Sequence, residues 1–106
     1  MNGENNKPEI SIILPCQNEA EALPFCLKKI KEVINKNNLN GEIIVSDSSI
    51  DESPEIAKRE NVILVKHDKN GYGAAYLEAF KIAQGKYIFM ADADGTYDFK
   101  EIPNFL

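Results

Sequence analysis

Residues 86–99 read KYIFMADADGTYDF, and the rest of the chain is interpreted around this segment. Residues 87–91 form a short apolar run that stops abruptly at Asp92. Such a run predicts a parallel strand that is buried on both faces. Ligands of open α/β sheets bind at the carboxyl ends of the strands. Asp92 and Asp94 therefore stand where a binding site is expected.

The Asp92 and Asp94 pair has the chemistry of a metal ligand set. Carboxylate oxygens spaced Asp-x-Asp, followed by a glycine that frees the backbone, suit a hard divalent cation. A cation held there can in turn hold a phosphate. A turn that only caps the next helix explains an isolated Asp-x-Asp about as well. The residues in the other loops are therefore needed to distinguish a metal site from a turn.

Length and charge limit the classes of function. The chain has 106 residues, of which 43% are hydrophobic, and this is enough for one small domain with a modest core. Its 12 basic and 17 acidic residues give a net charge of -5, and the basic residues are scattered. This balance argues against a nucleic-acid surface and against a patch that binds anionic membranes.

The cysteines and the N-terminus indicate a reduced, cytoplasmic chain. Cys16 and Cys26 have neither CxxC spacing nor a neighbouring histidine, so no zinc site or disulfide framework is predicted. Residues 1–9 are polar, and we expect them to be a flexible N-terminus without a signal peptide. No apolar run reaches the ~20 residues that a membrane-spanning helix needs.

Apolar runs and helical patterns alternate along the chain. Strands are predicted at residues 10–14, 42–45, 62–65 and 87–91, with helices ending near residues 36, 60 and 84 and a last helix from about residue 99. Asn18 and Glu21 have the form of a capping box for the first helix. Asn70 is a candidate N-cap of the third helix, and Gly85 is expected to end it in a left-handed conformation.

This order predicts an α/β fold of three layers. Right-handed crossovers place about four strands in one parallel sheet, with helices on both faces. The loops that follow the first, second and fourth strands then lie at one edge of the sheet. Carboxylates occur in all three of these loops: Glu19, Asp47, Asp51, Asp92 and Asp94.

Four motifs in this order resemble the nucleotide-binding half of the family 2 glycosyltransferases, which have the GT-A fold. The motifs are ILPCQNE at residues 13–19, VSDSSIDES at 45–53, KNGYGAA at 69–75 and DADGTYDF at 92–99. The chain is most similar to the branch of polyprenyl-phosphate (dolichyl-phosphate) mannosyl and glucosyl transferases. The resemblance implies a strand order of 3-2-1-4. It also identifies residues 10–106 as the nucleotide-sugar-binding part of a longer domain.

The resemblance implies a role for each loop after the first two strands. Pro15 and Glu19 match positions that border the nucleotide base and the ribose, and Asp47 matches the carboxylate that hydrogen-bonds the base. Gln17 replaces an aromatic residue that is frequent in the family, and its amide can still hydrogen-bond a base. Ser46 and Ile50 replace an Asp and a Thr of the second motif, so a ligand contact of the neighbouring Asp51 is not assigned.

The third and fourth motifs are expected to contact the diphosphate and the metal. Asn70, Gly71 and Gly73 let the backbone approach the donor, although an N-cap role explains Asn70 equally well. Asp92, Ala93 and Asp94 match the Asp-x-Asp motif, whose carboxylates hold the ribose and a Mg²⁺ or Mn²⁺ ion. Thr96 stands where some members of the family add a metal ligand.

Two other interpretations remain open from the residues. Residues 92–96 also match the first motif of haloacid-dehalogenase-type phosphatases, in which Asp92 would be the nucleophile and Asp94 a general acid. That motif normally lies on the first strand and needs a later lysine and acidic pair. The second alternative is a non-catalytic fragment that binds nucleotide.

The resemblance also implies partners and a location. The donor would be a nucleotide-diphosphate sugar, and a lipid phosphate is the candidate acceptor. The full-length protein would be cytoplasmic, at the inner face of the membrane, and acceptor residues would lie beyond Leu106. We expect these 106 residues alone to be inactive. The fourth strand would leave an open, apolar edge, through which two copies are expected to form a homodimer.

Overall fold

The computed structural model describes residues 7–91, and strands and helices alternate throughout that part of the chain. Four strands lie in one parallel sheet with the order β3-β2-β1-β4, which confirms the predicted order. The elements are β1 (Ile10–Cys16), α1 (Leu23–Lys36), β2 (Gly41–Asp47), α2 (Ser53–Arg59), β3 (Ile63–Lys66), α3 (Tyr72–Phe80) and β4 (Tyr87–Met90).

The register of the sheet brings the loops of interest to one edge. Cys16, the last residue of β1, is paired with Asp47, the last residue of β2. On the other side of β1, Ile13 is paired with Met90 at the end of β4. All three strands run in the same direction, so the chain leaves each of them at the same side of the sheet.

Helices cover both faces of the sheet, as the periodicity predicted. Helices α1 and α2 pack on one face and α3 packs on the other. The first face has the larger core, and its buried side chains include Ile12, Leu14, Leu23, Leu27, Ile30, Val45, Ala57 and Phe89. The second face is smaller, with Ile13 and Ile44 of the sheet packed against Ala79 of α3.

Strand β1 is longer than predicted, because Pro15 does not end it. The strand runs through Pro15 to Cys16, and all seven of its residues are buried. Proline lacks a backbone N–H but keeps its carbonyl oxygen, and its place next to the last residue lets the pairing continue for one more position. Strand β2 likewise extends to Asp47.

The predicted helix caps are wrong at both helices. Helix α1 has Ala22 as its N-cap, without a side-chain hydrogen bond to the helix. Asn18 lies four residues earlier with a φ of 55°. Helix α3 has Gly71, not Asn70, as its N-cap, with a φ of 90° that favours glycine. The capping-box pattern failed because the side chain of Asn18 binds a different loop.

Gly85 allows close packing against β1 and does not cap a helix. Helix α3 ends at Phe80, five residues before it. A Cβ atom added at Gly85 would lie 2.6 Å from Ser11 Oγ, closer than van der Waals contact allows. The N–H of Gly85 donates to that same Oγ atom at 2.8 Å. A glycine is needed here because the chain entering β4 passes directly against β1.

The prediction that the fourth strand is buried on both faces is wrong. Only Phe89 of β4 is buried, at 5% exposure, whereas Ile88 is 45% and Met90 51% exposed. Helix α3 packs over β1 and β2, and β4 is the edge of the described sheet, so no helix between residues 7 and 91 covers its α3-side face. No helix in the part of the chain that the structure describes is long and apolar enough to cross a membrane.

Candidate functional site

A small cleft lies at the carboxyl edge of the sheet. The loops after β1 and β2 and the start of α3 enclose about 10 Å³ there. The cleft contains three residues that the sequence predicted for the site, namely Pro15, Gln17 and Gly71. Residues that the sequence did not single out complete its lining: Cys16, Ser48, Tyr72 and Ala75. A cleft of this kind at the carboxyl ends of parallel strands is where α/β sheets bind ligands.

Asp47 lies below this cleft and does not line it. Its side chain is completely buried, with 0% exposure. Ser49 satisfies both carboxylate oxygens, because its hydroxyl donates to Oδ1 at 2.7 Å and its N–H donates to Oδ2 at 3.2 Å. Lys66 Nζ lies 3.8 Å from Oδ2. The charge of Asp47 is thus compensated by its own loop and by the end of β3.

Several hydrogen bonds join the loop after β1 to the loop after β2. Asn18 donates its N–H to Ser49 Oγ at 2.7 Å. The side-chain oxygen of Asn18 accepts the N–H groups of Ile50 at 3.0 Å and Asp51 at 3.3 Å. The N–H of Ala20 donates to Asp51 Oδ2 at 3.2 Å. The two loops therefore form one connected unit beside the cleft.

Asp51 is held in its ionised form by this unit. Burial acts to raise its pKa, but hydrogen bonds outweigh this effect and lower the pKa below the ordinary aspartate value. The donors include the N–H of Ser53 at 2.9 Å and the N–H of Ala20 at 3.2 Å. Asp51 is consequently a structural acceptor between the loops.

The thiol of Cys16 is not a nucleophile at neutral pH. Burial is the largest cause that raises its pKa, to about 11, and the nearby charge of Asp47 adds to the effect. Hydrogen bonds involving Ser53 and Ser49 oppose the shift without cancelling it. Cys16 therefore contributes shape to the cleft and no covalent chemistry.

The start of α3 leaves space for a ligand. Apart from the adjoining residues and the helix's own backbone, no atom of residues 7–91 lies within 4 Å of a Cβ built on Gly71 or on Gly73. Tyr72 is 47% exposed beside them, and Asn70 is also exposed. The first N–H groups of a helix attract anions. Of these residues, the structure places Gly71 and Tyr72 in the cleft, whereas Asn70 and Gly73 are not part of its lining.

Glu19 is half-buried and lies outside the cleft lining. Its carbonyl oxygen accepts the N–H groups of Ala22 at 3.1 Å and Leu23 at 2.9 Å at the start of α1. The backbone of Glu19 thus turns the chain into the first helix. Contact of its carboxylate with a ribose stays a prediction.

The predicted metal ligands Asp92, Asp94 and Thr96, together with Ala93, lie outside the described residues. The chain reaches them from Ala91, whose N–H donates to the Ile13 carbonyl at 2.9 Å and whose carbonyl accepts the Tyr76 hydroxyl at 3.2 Å. Within residues 7–91, no group of three or more His, Cys, Asp or Glu side chains could hold a metal ion. The Asp-x-Asp pair that follows Ala91 is an oxygen donor set that fits a hard cation.

A protein-family model matches most of the chain. The model of "Glycosyl transferase family 2" matches residues 11–106. This match extends over all four motifs, and the Asp-x-Asp pair follows the fourth strand of the chain, not the first. Both findings argue against the phosphatase interpretation.

Curated relatives extend well beyond the matched region. The low-salt glycan biosynthesis hexosyltransferase Agl6 of Haloferax volcanii is 42% identical over 99 residues, which are 93% of this chain and 24% of the relative. An uncharacterized protein of Methanocaldococcus jannaschii is 37% identical over 103 residues, which are 93% of this chain and 41% of the relative. The chain therefore spans about a quarter to two fifths of the length of these relatives.

Solved structures of glycosyltransferases share the fold. The mannosyltransferase PcManGT from Pyrobaculum calidifontis, in complex with GDP-Man and Mn²⁺, is 25% identical with a TM-score of 0.73, over 90% of this chain and 30% of that one. Mannosyl-3-phosphoglycerate synthase from Rubrobacter xylanophilus is 22% identical with a TM-score of 0.77, over 86% and 32% of the two chains. These similarities confirm the predicted GT-A fold of the nucleotide-binding half.

Proposed function

This chain belongs to glycosyl transferase family 2, and from that premise we propose that it binds a nucleotide-diphosphate sugar as the donor half of a metal-assisted hexosyltransferase. The observation that supports the proposal is the convergence of Gln17, Ser48 and Gly71, which come from different loops and lie side by side. It joins the loops after β1 and β2 to the start of a helix at the carboxyl edge of a parallel sheet. Residues 10–106 are proposed to form this donor-binding part.

The nucleoside is proposed to lie at the loops after β1 and β2. Gln17 is exposed, and its amide can donate to and accept from the edge of a base. Pro15 supplies an apolar wall of the cleft, and Glu19 is proposed to reach the ribose. Asp47 is proposed to act on the base from below the cleft. Ser49 donates one hydrogen bond to each carboxylate oxygen, and each oxygen can accept a second one, so a donor of the base can bind Asp47 while Ser49 keeps its bonds.

The diphosphate is proposed to lie between α3 and the Asp-x-Asp motif. Asn70, Gly71 and Gly73 allow the backbone to come close to the phosphates. Asp92 and Asp94, with Thr96 as a further ligand and Ala93 between the two carboxylates, would hold Mg²⁺ or Mn²⁺. A bound cation stabilises the charge that the departing nucleoside diphosphate gains as the sugar bond breaks. Mn²⁺ is named with GDP-Man in the structure of PcManGT, which supports this choice of metal.

The acceptor is proposed to be a lipid phosphate, and the full-length protein is proposed to act in the cytoplasm at the inner face of the membrane. The resemblance of the four motifs to polyprenyl-phosphate transferases motivates this proposal, and the similarity to a hexosyltransferase of glycan biosynthesis supports only the transfer of a hexose. A phosphate oxygen is already ionised near neutral pH, so it needs little help from a general base. Residues that bind the acceptor are proposed to lie in the part of the relatives that this chain does not span.

Calorimetry on the 106-residue chain tests the donor proposal. UDP and GDP are titrated with and without MnCl₂, and we expect at least one of them to bind more tightly with the metal. A Gln17→Ala variant should lose affinity. Lys58→Ala, an exposed substitution on α2, should not. Absence of binding for both nucleotides would contradict the proposal, and so would hydrolysis of a phosphate ester without sugar transfer by the full-length protein.

The edge of β4 is proposed to be the interface of a homodimer. Tyr87 is 42%, Ile88 45% and Met90 51% exposed, and β4 has a neighbour on one side only in the described sheet. An apolar edge strand without charges favours pairing with a second copy, which a two-fold axis makes antiparallel.

A further inference from the structure

We propose that Asn18, acting with Ser49, is a positioning residue that fixes the two walls of the nucleotide cleft without touching the nucleotide. The inference rests on the proposed function, because it assigns to these residues the geometry of the donor site. Neither residue is part of the cleft lining. Both connect the loops that supply the opposing residues Gln17 and Ser48.

The backbone of Asn18 is in a conformation that few residues adopt. Its φ is 55°, in the left-handed region, which asparagine tolerates better than most residues. Within the described part of the chain, Asn38 and Asn61 share this feature, with φ values of 52° and 60°. Those two residues directly follow the C-caps of α1 and α2, where a left-handed residue is usual. Asn18 has no such helix end before it, since β1 precedes it.

The side chain of Asn18 uses this conformation to reach the other loop. Its Oδ1 atom accepts the N–H groups of Ile50 at 3.0 Å and Asp51 at 3.3 Å. Each of these donors is more than 30 residues away in sequence. Two backbone donors on one amide oxygen hold the loop after β2 at a defined distance from the loop after β1.

Ser49 extends this connection to the floor of the cleft. Its hydroxyl accepts the N–H of Asn18 at 2.7 Å and donates its own proton to Asp47 Oδ1 at 2.7 Å. A hydroxyl has one proton, so this arrangement fixes its rotamer. The orientation of the buried carboxylate of Asp47 is therefore linked to the position of Asn18.

The walls of the cleft are held from behind by these contacts. Gln17 directly precedes Asn18, and Ser48 lies between Asp47 and Ser49 in sequence. The N–H of Ser48 also donates to the Cys16 carbonyl at 3.0 Å, which closes the same unit from the sheet side. Without the amide of Asn18, Gln17 and Ser48 would vary in separation, and a bound base would have to reorder them.

Three variants of the chain test this proposal. Asn18→Gly keeps the left-handed backbone but removes the accepting amide. Asn18→Asp keeps both the conformation and an accepting oxygen. Asn38→Gly is the matched control, because it makes the same change at a left-handed asparagine away from the cleft. Calorimetric affinities for UDP and GDP with Mn²⁺, thermal unfolding and amide hydrogen exchange are measured for each.

We expect Asn18→Gly to weaken nucleotide binding by roughly 5- to 20-fold, the range of one or two lost hydrogen bonds. The ratio of the UDP and GDP affinities should also change, because Gln17 and Ser48 no longer face the base in one arrangement. Asn18→Asp should restore binding to within about 3-fold of the original chain. Asn38→Gly should leave both affinities unchanged, whatever it does to thermal stability. Unchanged nucleotide affinity in Asn18→Gly would overturn the proposal.

Amide exchange provides a readout that needs no ligand. In Asn18→Gly, the N–H groups of Ile50 and Asp51 should exchange at least about tenfold faster, while Asn38→Gly leaves them unchanged. Unchanged exchange in Asn18→Gly would overturn the connection between the loops. If the original chain binds neither nucleotide, the proposed function fails, and the exchange rates still decide whether Asn18 holds the two loops together.

Discussion

Ser46 Oγ donates a 2.7 Å hydrogen bond to the carbonyl oxygen of Ala75, and this bond ties the buried part of β2 to the first half of α3. Ser46 is completely buried and Ala75 is 4% exposed. In the resemblance to family 2 glycosyltransferases, Ser46 stands where an aspartate is common. The structure gives the shorter side chain a role of its own, because it places the helix whose start borders the cleft.

Ser46→Ala should lower the free energy of unfolding by about 1 kcal/mol, because the donor to Ala75 is lost from a buried position. Nucleotide affinity should fall as well, since α3 is then held less firmly beside Gln17. Urea unfolding and calorimetry check the two effects. Glu55→Ala, an exposed change on α2, is the control. Equal stability of Ser46→Ala and the original chain would contradict the role of this bond.

Gly73→Ala should separate stability from binding. Gly73 is inside α3, and a Cβ there would meet no described atom within 4 Å apart from the adjoining residues and the helix's own backbone, so alanine should stabilise the helix by roughly 0.5 kcal/mol. If the diphosphate approaches this backbone, the added methyl group should weaken nucleotide binding. Gly85→Ala provides the contrast: it should destabilise the chain by about 2 kcal/mol or more through its clash with Ser11. Unchanged affinity in Gly73→Ala would place the donor elsewhere.

Asp51 should make stability depend on pH. Its pKa in the folded chain is lowered, so its ionised form contributes stability above the ordinary aspartate pKa, and this contribution is lost as the pH falls through the folded value. Asp51→Asn should therefore reduce the urea midpoint at about pH 7 and have a smaller effect at about pH 3. Hydrogen bonds from Lys69 and Lys81 lower the pKa of Glu78 to about 2, but Glu78 is present in both proteins and its effect cancels. A difference between the proteins that grows on acidification would contradict the assignment.

Asp94→Asn should uncouple the metal from the nucleotide. We expect Mn²⁺ to tighten nucleotide binding by about tenfold or more in the original chain, because a cation held by Asp92 and Asp94 would also attract the diphosphate. The Asp94→Asn variant, with a neutral side chain, should lose most of this increase in nucleotide affinity. Asp98→Asn, in the same segment but outside the Asp-x-Asp pair, is the matched control. Loss of the metal effect in both variants would show that overall charge matters and not a specific ligand.

Tyr87→Lys should dissociate the homodimer proposed for the β4 edge, since a charge at an edge strand opposes pairing with a second copy. Light scattering coupled to size exclusion measures the mass at high micromolar concentration. Leu77→Lys, at a 62% exposed position on α3, controls for the loss of an apolar surface residue. Phe89 is 5% exposed and belongs to the core, so a lysine there would report on folding instead. A monomeric original chain would contradict the interface.

Apolar periodicity predicts the order of elements between residues 7 and 91, the parallel sheet and the two helical layers, whereas the helix predicted from about residue 99 lies outside the described residues. It could not predict contacts that join distant parts of the chain. The local pattern at Asn18 predicts a helix cap, whereas its side-chain oxygen accepts the N–H of Ile50, 32 residues away. The pattern around Gly85 predicts a helix end, whereas this residue packs on Ser11, 74 residues away. A local sequence pattern contains no information about such partners, because they come together only when the sheet forms.

In the candidate site, too, the residues within motifs are predicted from the sequence and their neighbours in space are not. Pro15, Gln17 and Gly71 were found because they belong to motifs at strand ends, and the structure brings them to one cleft. Ser48 and Tyr72 were missed although each is next to a predicted residue. For Ser48, the strand register is the signal that identifies it, because the end of β2 is paired with the end of β1. The exposure of β4 was misjudged because an apolar run is identical in a central strand and in an edge strand.

Both cysteines are buried, so their modification by a thiol reagent reports unfolding of the chain. Cys16 is 2% and Cys26 0% exposed, and neither is in a disulfide. With a pKa of about 11, the Cys16 thiol is almost wholly protonated under ordinary conditions, so a thiol reagent finds little thiolate while the chain is folded. Labelling should therefore proceed only as fast as the chain opens. The rate of chemical modification then measures the rate at which the chain opens, and no reporter residue has to be added to the sequence.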